Sequence, residues 1–153
     1  MRITRRGGLK LHLDAGEPAI LLSLLEELRI MVQSEDIADP VRKRLYPDAY
    51  DDADPSAEYR DLTEAALRSD RVARIEQSEA ELASGATVLA LAADDGDRWL
   101  RVLNDLRLAL GTRIGVTEDW DHDVDPDDPT HFPQAAYLWL TGAQDALVQA
   151  LMR

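Results

Sequence analysis

The run WLRVLNDLRLALGTRIGV, Trp99 to Val116, decides the fold. At helical spacing, Trp99, Leu103, Leu106, Leu110 and Ile114 share one face, with Leu100 and Val102 on its shoulders. A stripe that wide faces a core. Arg101, Asp105 and Thr112 fall on the opposite, wetter face. Arg107 and Arg113 project from within or beside the apolar one. Unpaired buried charge is costly, so these guanidinium groups need partners. Either Glu26, Glu27 or Asp145 supplies them from within the chain, or another molecule does. Both readings stay open at this point.

Upstream, Leu21, Leu24, Leu25, Leu28, Met31 and Val32 form a second core stripe. Burying six such side chains contributes on the order of 10 kcal/mol before the entropy cost. Asp14 is the expected start of this helix, with Glu17 as its capping-box partner and Pro18 in the first turn. Before it, residues 2–13 read as a β-hairpin turning at Gly7-Gly8, where Leu9, Leu11 and Leu13 alternate with Lys10 and His12. His12 is expected on the exposed side. A lone hairpin is marginal, and Thr87 to Leu91 is placed to add a third strand.

Pro40 opens a short helical turn stopped by Pro47, and Arg42, Lys43 and Arg44 make a compact basic cluster there. The stretch PDAYDDADP, residues 47–55, reads as an acidic loop. Asp54-Pro55 is expected to start a helix through Tyr59 and Leu62, and Thr63 to cap another running to Leu82. The apolar face of that second helix (Leu67, Ile75, Leu82) is thin and flanked by Arg71 and Arg74, which predicts an outer helix covered by a partner. Residues 117–133 read as a long acidic loop. A last helix, Gln134 to Met152, puts Ala136, Trp139, Leu140, Ala143, Leu147 and Ala150 on one face. With no internal repeat and no linker, the expectation is a single domain over residues 1–153. Its class is mainly α, bundle-like, with a small N-terminal β-hairpin or three-stranded sheet.

Composition narrows the chemistry. The formal net charge is −13, which opposes general binding to nucleic acid or anionic membrane. There is no cysteine, so disulfide switching and thiolate chemistry have no residues to use. No apolar run is long enough for a membrane span and no signal-peptide core precedes residue 14, which predicts a cytoplasmic protein. Charge is uneven. Residues 1–13 carry four bases and no acid, whereas Ile114 to Met152 contains no Lys or Arg, so the two ends should attract.

Asp119, Asp121, Asp123 and Asp125 alternate like the start of a calcium loop, but Val124 and Thr130 stand where that loop needs Gly and Glu. Asp119, Asp121, Asp123 and His122 are the candidate metal-binding residues, with His131 beyond them. No nucleophile elbow, Walker loop or dinucleotide fingerprint occurs, so no catalytic residue, cofactor or enzymatic activity is predicted. Arg71, Arg74, Arg107, Arg113 and Trp139 offer the arginine and aromatic chemistry of interface hot spots, and are the candidate partner-binding residues.

The 99–116 run, the DPVRKRLYPDAYDDADPSAEYRDLT middle and the terminal YLWLTGAQDALVQAL together resemble the actinobacterial family called domain of unknown function 2017, an AosR-like family of oxidative-stress transcriptional regulators. The resemblance extends over most of the chain. It implies a cytoplasmic stress-response regulator that contacts an extracytoplasmic-function sigma factor or RNA polymerase, here without the cysteine switch of the redox-sensing variant. Family genes lie near that of a Clp protease adaptor, which implies a second reading: an adaptor or scaffold linked to Clp-type proteolysis. A third reading is ion binding through the 118–131 loop. A homodimer through the terminal helix or the 63–82 helix is also expected.

Overall fold

The computed structural model describes residues 1–47, 57–125 and 127–152, with the side chains of 57–60 and 93 excepted. Strands β1 (Arg2–Thr4), β2 (Leu9–His12) and β3 (Val88–Leu91) form an antiparallel sheet in that order. Ile3 pairs with Leu11 and Leu11 with Leu89, so one sheet face collects Leu11, Leu89 and Leu91, all buried. Gly7 and Gly8 take positive φ at the hairpin turn, as expected of a Gly-Gly pair there. His12 is not simply exposed. It is half-buried, with Nε2 2.8 Å from Thr4 Oγ1 across the hairpin.

Helices α1 (Glu17–Gln33), α2 (Pro40–Leu45), α3 (Ala57–Leu82), α4 (Ala93–Ile114) and α5 (Phe132–Leu151) pack around one hydrophobic core. The α1 stripe is buried as expected, with Leu21, Leu25 and Leu28 fully so. Its start differs. Gly16, left-handed at φ 91°, precedes the first helical residue, and Asp14 lies outside the helix. Glu17 still folds back, accepting the Asp14 backbone N–H at 2.8 Å, so half of the capping box survives around a tighter turn.

The largest departure is α3. No break occurs at Thr63: one helix runs from Ala57 to Leu82, because this stretch contains neither Gly nor Pro and is rich in Ala, Glu and Arg. The Asp54-Pro55 start lies outside the described residues. α3 does lie on the outside, with most of residues 61–82 exposed, yet its inner face is covered by the chain itself. Its inward stripe is Glu64, Arg68, Arg71, Ile75, Ser78 and Leu82, at alternating spacings of four and three. Ile75, Ser78 and Leu82 are essentially inaccessible, while Leu62 and Leu67 are exposed. Polar groups on the inner face are met by polar groups opposite. A thin apolar face therefore signals here a helix seated by ion pairs.

α4 ends at Gly115, left-handed at φ 72°, whose N–H caps the carbonyls of Gly111 and Thr112. Gly111 has a separate reason: a Cβ there would lie 2.9 Å from the Tyr137 ring, so a larger residue must push that ring aside. α5 starts two residues earlier than expected, with Pro133 inside its first turn. A short 3-10 turn, Pro129–His131, precedes it. The two ends of the chain do meet, but not by charge pairing. Arg5 Nη1 donates to the Ala150 carbonyl at 2.8 Å, a cation on the last carbonyls of α5.

Candidate functional site

Among the described residues, eight arginines are held by the chain's own carboxylates. Arg71 Nε donates to Asp105 Oδ2 at 3.1 Å, and Arg74 Nη2 lies 3.9 Å from the same oxygen. Asp105 is thus not on a wet face; it is 6 % exposed. Burial pushes its carboxyl above the ordinary range, and the two guanidinium groups pull it only partly back. Arg71 also stacks over the Tyr46 ring, its guanidinium carbon 4.7 Å from the centroid. Burial raises the Tyr46 phenol, with Arg71 opposing.

Further along the same seam, Arg98 donates to Ser78 Oγ at 2.6 Å and to Glu81, and Glu81 takes the Trp99 indole N–H at 2.8 Å. Arg42 bonds Glu64, which also takes Arg68. Arg42 is therefore a buried clasp and leaves the surface cluster that its neighbours Lys43 and Arg44 suggested. Arg98 and Asp105 escaped the sequence reading. The signal was a second helical stripe on α4, Arg98–Val102–Asp105–Ala109, whose four members are all buried.

Among the candidate partner-binding residues, Arg71 and Arg74 are thus committed to Asp105. Arg113 is half-exposed and meets Asp39 at 2.9 Å, a different acid from those expected. Trp139 is partly buried and donates to Glu17 Oε1 at 2.8 Å. Burial would raise the Glu17 carboxyl. Hydrogen bonds from the N-terminal amine, the Asp14 N–H and Trp139, with the amine's charge, outweigh burial and hold it below the usual range. Arg107 is different. It is half-buried, its Nε is buried without a hydrogen-bond partner, and no carboxylate among the described residues pairs with it.

The acidic loop does not converge. Asp121 Oδ1 accepts the Asp123 N–H at 3.2 Å, His122 sits at φ 59° with its ring 4.6 Å from that of Trp120, and Asp119 is exposed. His131 Nδ1 is occupied by the Asp125 N–H at 3.1 Å. Hydrogen bonds from Thr130 lower the Asp128 carboxyl at the head of the 3-10 turn. Among the described residues, no three His, Cys, Asp or Glu side chains gather as a metal site.

The surface feature that could accept a partner is a groove between α1 and α4, closed at one end by the start of α5. Two depressions of about 400 Å³ share Leu24, Glu27, Leu110 and Pro133 and so run into one another. The floor is apolar. Its rim carries side chains that a folded monomer gains little by exposing: Ile20 at 37 %, Ile30 at 66 % and Phe132 at 50 %. From Ile20 to Met31 the groove follows about 16 Å of helix, room for some three turns of a second one. No helix among the described residues is long and apolar enough to cross a membrane.

The model of the family described as "Domain of unknown function (DUF2017)" matches residues 1–151. Two curated relatives bear the description "Oxidative stress regulator AosR", one from Mycobacterium bovis and one from Mycobacterium tuberculosis. Each is 33 % identical over 129 positions, covering 74 % of this chain and 59 % of the relative. A Mycobacterium leprae relative with the same AosR designation is 34 % identical over 128 positions, with the same coverage. The chain therefore spans about 59 % of the length of the curated relatives it matches. No solved structure matches it.

Proposed function

The chain belongs to the DUF2017 family, and from that premise we propose that it is a regulator of the oxidative-stress response that acts by binding another protein through the α1–α4 groove. The groove is the observation that carries this reading. Helix-in-groove recognition needs an apolar trough of a few turns with hydrophobic rims, and Ile20, Ile30, Leu110 and Phe132 supply one. The occupant is an amphipathic helix with basic flanks. The chain carries −13 overall and Glu27 lines the trough, while Arg113, the cation at its end, is already paired to Asp39. A second copy of this acidic chain would bring like charge to the same surface.

Family resemblance makes a sigma factor or RNA polymerase the first partner to test. With no cysteine in the chain, the contact would be gated by something other than disulfide exchange. No activity as an enzyme enters this reading. Immobilised protein should retain a purified stress-responsive sigma factor or RNA polymerase core. Retention of neither by folded protein would overturn the reading, and retention of a Clp adaptor in their place would redirect it to regulated proteolysis.

A further inference from the structure

On the side of α4 away from the apolar groove lies a polar cleft of about 440 Å³, bordered by α2 and α5. Arg44, Arg107, Thr112, Thr117 and Tyr137 line it, and among its described lining residues there is no Asp or Glu. That is unusual in a chain with 30 acids and 17 bases. Elsewhere the same surplus of carboxylate has captured Arg29, Arg42, Arg68, Arg71, Arg74, Arg98, Arg101 and Arg113. Arg42, Arg68, Arg74 and Arg98 also leave Nε unbonded, but each has a carboxylate on its terminal nitrogens. Arg107 has the buried unbonded Nε and no ion pair among the described residues. Arg107 also borders a second depression together with Asp145, with which it forms no ion pair.

We propose that Arg44 and Arg107 form a binding site for a compact dianion, the phosphoryl group of a small molecule. A guanidinium is a planar fork of donors that matches two oxygens of an anion; the Arg107 Nε is itself buried, so the terminal nitrogens, which no carboxylate among the described residues pairs, are the donors that Arg107 offers a ligand. Two such forks on one cleft call for roughly two negative charges and for oxygens on more than one side. A phosphoryl group carries about −1.5 to −2 near neutral pH and three acceptor oxygens, whereas one carboxylate satisfies one fork. The Thr117 and Tyr137 side chains line the same cleft and add hydroxyls.

Global charge selects the size of the ligand. An extended polyanion, nucleic acid or acidic protein, would meet the repulsion of the whole surface. A compact ion inside the cleft is screened from charges more than about 8 Å away at physiological salt. The C-terminal end of α4 opposes an anion with about half an elementary charge, but that effect fades within the last turn. Arg107 stands two turns before it. Two whole guanidinium charges outweigh that half charge.

The test is a titration of isotopically labelled protein with inorganic phosphate, at constant ionic strength, observing the arginine Nε–H signals. Phosphate should shift the Arg107 signal saturably. Arg44→Gln should weaken the apparent Kd about tenfold or more, and because Arg44 is exposed and has no ion pair among the described residues this variant keeps its fold. Arg107→Gln, followed at the Arg44 signal, should weaken it similarly, whereas Arg101→Gln, paired with Asp97, should not. Succinate at the same concentration should leave the signal in place. The proposal fails if phosphate gives no saturable shift, if Arg44→Gln responds like the parent protein, or if succinate saturates as tightly as phosphate.

Discussion

Arg71 Nε lies 3.1 Å from Asp105 Oδ2, and this contact joins the two longest helices of the chain. Asp105 also faces Arg74, so one buried acid is shared by two cations. α3 is thereby seated on α4 by charge where α1 is seated by leucines. Such a seam adds little net stability when intact, because desolvation offsets attraction, yet it is expensive to break from one side.

Replacing Asp105 by Ala should therefore destabilise the fold by about 3–5 kcal/mol, because it strands Arg71 and Arg74. Chemical denaturation followed by tryptophan fluorescence measures this. Loss of less than about 1 kcal/mol would mean that water enters the seam freely.

Acid should act oppositely on two carboxyls. Glu17 has a lowered pKa in the fold, so its contribution is present above its ordinary value of 4.5 and is lost as pH falls through the folded value. Asp105 has a raised pKa, so protons favour the fold there: its contribution is present below its ordinary 3.8 and is lost as pH rises through the folded value. Stability of Glu17→Gln relative to the parent should converge on acidification below 4.5. For Asp105→Asn the stability difference should grow with the opposite slope, measurable by denaturation at a series of pH values.

Two glycines inside helices should respond in opposite directions to alanine. Gly142 in α5 has open space where a Cβ would sit, so Gly142→Ala should add up to about 1 kcal/mol through helix propensity. Gly111 in α4 has the Tyr137 ring 2.9 Å from that point. Gly111→Ala gains the same propensity but must displace a ring held edge-on to Trp120, at a cost of about 1–3 kcal/mol. Thermal melts of the two variants should move apart in opposite directions.

At the rim of the groove, Ile30→Asp should leave the fold within about 0.5 kcal/mol of the parent, because Ile30 packs on little and is 66 % exposed. A melt unchanged within that margin qualifies the variant as a binding probe.

The fold was legible where one periodicity dominates. Trp99, Leu103 and Leu106 on α4 and Leu21, Leu25 and Leu28 on α1 are buried as the 3.6-residue pattern requires, and the strand at 88–91 pairs with the hairpin as expected. It was illegible where polar residues occupy inward positions. Asp105 reads as a surface acid because its inward neighbours on α3 are Arg71 and Arg74, 34 and 31 positions earlier, and a single-element pattern contains no information about cross-helix pairing. The same blindness turned Arg71 and Arg74 into candidate docking residues. Of the positions marked for a partner, Arg107 alone emerges without a carboxylate, and the apolar groove comes from residues such as Ile30 and Phe132 that lie off the core stripe.

Co-sedimentation of the protein and its Ile30→Asp and Phe132→Asp variants with a purified stress-responsive sigma factor and RNA polymerase core tests the central claim most directly. The groove account predicts a complex with the parent chain and at least a tenfold weaker one with each folded variant, about 1.4 kcal/mol or more at a buried anchor. Binding by the variants equal to that of the parent, or no complex with the parent at all, would contradict it.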